Sequence, residues 1–435
     1  MSGASIETTL ELWASELREA KRRMRPLFTQ ERVAASAGLF LDGLLGPERR
    51  KTGWMRAEAA GDPGPWRQQA ILGRGRWEAD SLRDVVRDCA LETLADAEAV
   101  LVVDETGFLR KGRASCGVGR QHTGSAGKVA NCQIGVFMAY VSRHGHALVD
   151  RALSLPRDWT RDPTRLAAAH VPEGIGCTTK PRLALDMAER AIAAGVPFSW
   201  VVGDTVHGTG EVGMALRRAG KGHVLGTAAT QPFNSWVGKP EVYGTAEEIA
   251  QDLDAAAWQR LSAGEGTKGG RLYDWADLEL ADLEADEVNP ALSGTWTRGL
   301  LIRRNLADGA LAYFSTWCPA GTGLETRSWR GRLRRPCLRR IAARWLAPPR
   351  EPGHAGLCRA GDHPPSCEPG TPENTAAPAA DVPDLIRWSL QEIRRVAMRL
   401  AQARIHPAHV IAWSLWRRAH QAAAQRSHLK RIMQL

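Results

Sequence analysis

Two short segments, one hundred residues apart, limit what this chain can fold into. In LVVDETGFLRKG (101–112) the apolar run Leu101-Val102-Val103 delivers Asp104 to the mouth of a buried strand. In WVVGDTVHGTGEVG (200–213) Trp200-Val201-Val202 leads to Asp204, then a Gly-rich turn and a helix-like segment over 211–219. Rigid strands fix carboxylate oxygens, and strand ends open onto solvent, as a site for hard divalent cations requires. An Asp after an apolar strand is also an ordinary turn residue or helix N-cap. It is the paired, similar lead-ins that point to chemistry. Glu105, Thr106 and Gly107 are expected to turn the chain after Asp104.

The pattern around these segments is that of an α/β core. Strands are expected over 99–103, 132–140, 147–153, 199–202, 223–227, 298–303 and 311–316, and helices over 181–194 and 212–219. Ahead of them, 5–48 and 80–95 have helical spacing, separated by the breaker Asp62-Pro63-Gly64-Pro65. The expected organisation is a helical domain over 1–97, which could bind DNA, then a core over 98–325 with an irregular insertion at about 232–297. A disrupted or disordered segment over 326–380 and a helical tail over 381–435 complete it. In the tail, Leu385, Trp388, Ile393 and Val396 predict a helix over 384–403, and Val410, Trp413 and Trp416 one over 406–425.

At 435 residues the chain exceeds one typical core. No apolar run reaches membrane-span length, and Glu7, Glu11 and Glu16 interrupt any leader-like segment. Eight scattered Cys without a CxxC fit reduced thiols in a cytoplasm. The net charge of +10 permits a polyanionic partner. Lys21, Arg22, Arg23 and Arg25 form either a solvated helix face or a DNA-contacting one. No GxxxxGK[ST] loop supports nucleotide hydrolysis.

Asp-Glu-Thr-Gly-Phe with Arg110-Lys111-Gly112, followed by GVGRQHTGSAGKVANCQIGVFMAY (117–140), resembles the catalytic core of DDE transposases of bacterial insertion sequences, specifically the insertion-sequence 701 group. VVGDTVHG is similar to that family's second acidic motif, and 385–431 to its C-terminal tail. The resemblance implies an α/β, RNase H-like core with helical ends, in which Asp104 and Asp204 are catalytic and bind Mg²⁺ or Mn²⁺. It implies double-stranded DNA as substrate, with the terminal inverted repeats of an insertion element bound by a homo-oligomer in the bacterial cytoplasm, at the nucleoid. Two metal ions roughly 3.5–4 Å apart would activate the attacking oxygen and stabilise the leaving one.

Arg110, Lys111, Arg120 and Lys128 are candidates to steer DNA phosphates, against plain surface solvation. Glu105 should point away from Asp104, because neighbours on a strand face opposite ways. His207 is either a metal ligand or a neutral surface or cleft histidine.

The sequence departs from the family where a third acid, usually Glu on a helix, should follow the last strands. After GTGLE (321–325) the chain turns Arg-, Pro- and Cys-rich, with nine Arg and no acid over 327–350. A shifted reading frame in GC-rich DNA gives such a composition. His354, Cys358, His363 and Cys367 then fall at zinc-like spacing by accident. Glu325 is the nearest remaining acid and is expected just before the missing helix. Three readings stay open: a DDE-type transposase that has lost its third acid, a catalytically dead remnant that occupies element ends or regulates an intact copy, and a nuclease-like hydrolase that acts on nucleic acid without transposition.

Overall fold

The computed structural model describes residues 6–46, 51–75, 77–124, 126–235, 241–266, 269–281, 296–332 and 407–432. They divide into two compact units, which meet in sequence at Val85 and Val86.

The first unit is helical: α1 (Ile6–Met24), α2 (Glu31–Leu45), α3 (Gly53–Ala60), α4 (Trp66–Gly73), the start of α5 (Ala79–Leu94) and a C-terminal helix, Pro407–Ile432. Gly61, at φ 70°, ends α3 in the left-handed conformation that glycine adopts without strain. The C-terminal helix docks through aromatics. Trp413 is buried and donates its indole N–H to the Asp62 carbonyl, and Trp416 packs on Trp54 with ring centroids 5.3 Å apart. The four basic residues at the end of α1 and just beyond it are all tied to acids: Lys21 to Asp42 at 2.6 Å, Arg22 and Arg23 to Glu19, and Arg25 to Glu31.

The second unit is a mixed α/β structure on one ten-stranded sheet. Its elements are β1 (Val100–Leu109), β2 (Gly119–Thr123), β3 (Lys128–Ser142), β4 (Gly145–Ser154), α6 (Arg157–Thr160), α7 (Pro163–Ala168), α8 (Lys180–Ala193), β5 (Trp200–Gly203), α9 (Gly210–Arg218) and β6 (Gly222–Thr227). Then come β7 (Pro232–Ser235), β8 (Val242–Thr245), α10 (Ala246–Gln251), β9 (Gln259–Gly266), β10 (Gly269–Leu280), β11 (Trp296–Asn305), β12 (Leu311–Pro319) and α11 (Leu324–Arg332). The sheet order is β2-β3-β1-β5-β6-β12-β11-β10-β9, with β4 also on β3. β1, β5 and β6 run parallel, and the remaining pairings are antiparallel.

Alternation along the central strands feeds two cores. Leu101, Val103 and Val201 pack with Ala184, Met187 and Ala191 of α8. Val100, Val102, Trp200 and Val202 join Trp275, Leu301 and Phe314 on the other face. Burial on both faces explains the continuous apolar runs.

Three expectations need correction or refinement. First, Glu105, Thr106 and Gly107 do not turn the chain: β1 continues to Leu109, in register with β3 from Val100↔Val141 to Leu109↔Cys132. Gly107 serves close approach instead, since a Cβ there would lie 1.9 Å from Thr123 Oγ1. Second, the region after 232 contributes to the main sheet. β7 and β8 form a separate hairpin, but β9 and β10 extend the ten-stranded sheet. Asp274 and Asp277 break β10's apolar pattern, and each is matched by arginine: Asp274 by Arg260 and Arg304, Asp277 by Arg327. Third, residues 326–332 continue the helix begun at Leu324. The rest of the 326–380 segment, the expected helix over 384–403 and the His354, Cys358, His363 and Cys367 set lie outside the described residues.

Candidate active site

β1 and β5 pair in parallel through Val100↔Trp200, Leu101↔Val201 and Val102↔Val202. Asp104 and Asp204 each stand two residues beyond the last pair. Parallel neighbours lie about 4.8 Å apart, so this register sets the two acids at one level of adjacent strands. Asp104 continues the alternation of Val102, and so belongs to the face of the second core. The two differ in one respect. β5 ends at Gly203 and Asp204 opens a turn, whereas Asp104 lies within β1, opposite Phe137 of β3. The ladder to β5 ends at Val102, two residues before Asp104, while β1 itself runs on. Both acids are half-buried.

The turn after β5 is tightly built. Asp204 Oδ1 accepts from Val206 N at 3.0 Å, and its carbonyl accepts from His207 N and Gly208 N, both at 2.9 Å. A Cβ on Gly208 would fall 1.7 Å from the Gly226 carbonyl oxygen, so only glycine lets this turn lie against β6. His207 is 1% exposed, and its Nδ1 sits 2.7 Å from Asp204 Oδ1. It is a buried partner of the acid, not a surface histidine.

Glu105 projects to the opposite face, where Lys180 Nζ at the start of α8 lies 2.6 Å from its Oε2. Of the four basic candidates, Arg110 and Arg120 fall on the Asp104 face. Arg110 donates to Gln133 at 2.6 Å, and Arg120 is opposite Asn131, two places from Gln133 on β3. Lys128 alternates to the other face, opposite Thr123, and Lys111 sits in the loop after β1. All four are exposed. Sequence reading missed Arg151. It pairs with Phe137, which pairs with Asp104, so Arg151, Phe137 and Asp104 form one row across β4, β3 and β1. No motif marks Arg151; only strand register reveals it.

A short helix does follow β12. Leu324 of α11 packs against the core that holds Val102 and Val202. Glu325 falls in its first turn, exposed, rather than ahead of it. Arg327, 1% exposed, contacts Asp277 at 2.8 Å and Glu279 at 2.9 Å on β10. Burial holds the Asp277 carboxyl above the usual carboxylate range even with Arg327 beside it. Among the described residues, no three His, Cys, Asp or Glu side chains gather closely enough to hold a metal ion. The donor chemistry of Asp104 and Asp204 still fits Mg²⁺ or Mn²⁺: both offer carboxylate oxygens, and each follows the paired ends of β1 and β5 by two residues.

The two half-buried acids stand where the central parallel strands β1 and β5 cease to pair. Residues 23–231, just under half the chain, match the family described as DDE superfamily endonuclease. The match includes both acids and supports a DDE transposase-like family acting on DNA. A search of curated proteins finds no match. No helix among the described residues is long and apolar enough to cross a membrane.

Proposed function

We propose that this chain is a transposase of bacterial insertion sequences, of the insertion-sequence 701 group, whose third acid has been lost in a disrupted segment after residue 325. The observation that supports the reading is the parallel register of β1 and β5, whose last pair, Val102↔Val202, stands two residues before each acid. Within the sheet, the order β4-β3-β1-β5-β6 supports an RNase H-like core: an antiparallel meander, then two strands parallel to the first. Further support comes from the family match, which spans this part of the sheet.

In this reading residues 98–325 are the catalytic core and the helical ends, 1–97 and 381–435, help hold the DNA. The substrate is double-stranded DNA carrying the element's terminal inverted repeats, bound by a homo-oligomer at the bacterial nucleoid. Bound Mg²⁺ or Mn²⁺ would supply activation of the attacking oxygen and stabilisation of the leaving one. Asp104 and Asp204 are the residues that would hold it. Arg110, Arg120 and Lys111 hold backbone phosphates near the acids.

With two acids in place of three, the reacting atoms are poorly aligned, and a small misplacement already costs about 10²-fold in rate. The chain therefore binds terminal-repeat DNA in a strongly salt-dependent way and cleaves it slowly. The test is a nicking and strand-joining assay on a terminal-repeat duplex with Mg²⁺ or Mn²⁺, comparing the chain with Asp104→Ala. The expected outcome is tight low-salt binding, little nicking and little change in Asp104→Ala. Robust cleavage abolished by Asp104→Ala would show a complete site, and Glu325→Gln would then be the first variant to examine. Binding no stronger than to a non-polyanionic control would overturn the reading.

A further inference from the structure

We propose that His207 is a positioning residue: its imidazole fixes the Asp204 carboxylate in the rotamer that presents it beside Asp104. The inference rests on the two-carboxylate reading of the site and goes beyond it, because His207 itself need not touch a metal or substrate.

Three observations carry it. The contact is short and specific, with Nδ1 2.7 Å from Oδ1, and Oδ1 also takes the Val206 amide. Two donors on one oxygen leave the carboxylate little rotational freedom. The ring is 1% exposed and held from behind, since Gly203, the last residue of β5, brings its Cα close enough that an added Cβ would lie 3.1 Å from His207 Cβ. Finally, Nε2 is buried with no hydrogen-bond partner among the described residues. A buried polar atom without a partner is costly, and an apolar side chain would pack there without that cost. Among the described residues, the ring's one polar contact is to Asp204. Carboxylates that bind metals are commonly held in this way by a neighbouring donor, and loss of such a partner weakens metal affinity about 10–100-fold.

The bland alternative is that His207 only stabilises the turn. Asparagine and glutamine separate the two. The amide nitrogen of His207→Asn falls where Nδ1 was, and that of His207→Gln falls where Nε2 was. Mn²⁺ alone is titrated into the full-length chain and the free ion is followed by electron paramagnetic resonance, with metal-free melting temperatures recorded in parallel. His207→Leu and His207→Gln are expected to weaken Mn²⁺ binding about 10-fold or more, and His207→Asn to restore most of it. If His207→Leu does not fold, the Asn and Gln pair decides alone. Equal Mn²⁺ affinity in all variants, with only the metal-free melting temperature altered, would overturn the positioning role, as would equal weakening by Asn and Gln. If the unmodified chain and Asp204→Asn take up Mn²⁺ equally, the two-carboxylate reading itself has failed, and the role of His207 falls with it.

Discussion

Arg327 of α11 holds Asp277 of β10 through one guanidinium nitrogen, Nη1, at 3.0 and 2.8 Å from the two carboxylate oxygens. This buried pair pins the helix that carries Glu325 to a strand far away in sequence. Removing one partner of a buried pair strands the other charge and costs about 3–5 kcal/mol. Arg327→Met should therefore destabilise strongly in chemical denaturation. Arg327→Met with Asp277→Asn should cost clearly less, because the more deeply buried charge goes with its partner and only the half-exposed Glu279 loses Arg327. Equal losses for the single and double variants would mean the pair is not what seats α11.

Gly107 tests the corrected course of β1. Gly107→Ala should destabilise by about 1–3 kcal/mol, as overpacking does. Thr123→Gly should relieve most of that loss. Thr123→Ala should not, because the Thr123 Cβ would itself lie 2.5 Å from the new methyl. A neutral Gly107→Ala in thermal melts would restore the turn reading.

What the sequence makes legible, and what it hides, follows from where the information lies. The lead-ins Leu101-Val102-Val103 and Trp200-Val201-Val202 are local, and they announce two buried strands and the acids after them. The length of β1 is not local, because its second half is held only by β3, some thirty residues on. A glycine three places after an acid suggests a turn until the Thr123 side chain appears against it. β10 is obscured because Asp274 and Asp277 interrupt its apolar residues, and their arginines come from β9, β11 and α11. His207 lies within the recognisable motif, yet its burial and its bond to Asp204 arise from the turn folding against β6. Arg151 has no local signal at all; it enters the row of Asp104 only through pairing across β3.

Buried His223 gives a pH dependence with a definite sign. Burial, reinforced by nearby Arg217, pushes its pKa down to about 3 from the usual 6.5. The unfolded chain thus binds a proton below about pH 6.5 that the folded chain refuses until about pH 3. Stability is fully present above pH 6.5 and is lost on acidification, by up to about 1.4 kcal/mol per pH unit from this group. Denaturation midpoints measured from pH 7 to pH 4 should fall, and His223→Leu should flatten that fall. An unchanged slope in His223→Leu would show that other groups set it.

The basic residues sort by face. Arg110, Arg120 and Arg151 share the face of Asp104, and Lys128 does not. Alanine at each of the first three should reduce the slope of log affinity against log salt for duplex DNA by about 1. Lys128→Ala should leave it unchanged. The reverse ranking in fluorescence anisotropy titrations would place the DNA on the opposite face of the sheet.

The central claim is that Asp104 and Asp204 form one cation site. Mn²⁺ affinity should be measured for the full-length chain, Asp104→Asn, Asp204→Asn and the double variant. Groups that share a ligand couple, so the losses should not add: each single substitution should weaken binding nearly as much as both together. Asp104→Asn binding Mn²⁺ as the unmodified chain does, while Asp204→Asn does not, would contradict the claim and leave the register of β1 and β5 a feature of the fold alone.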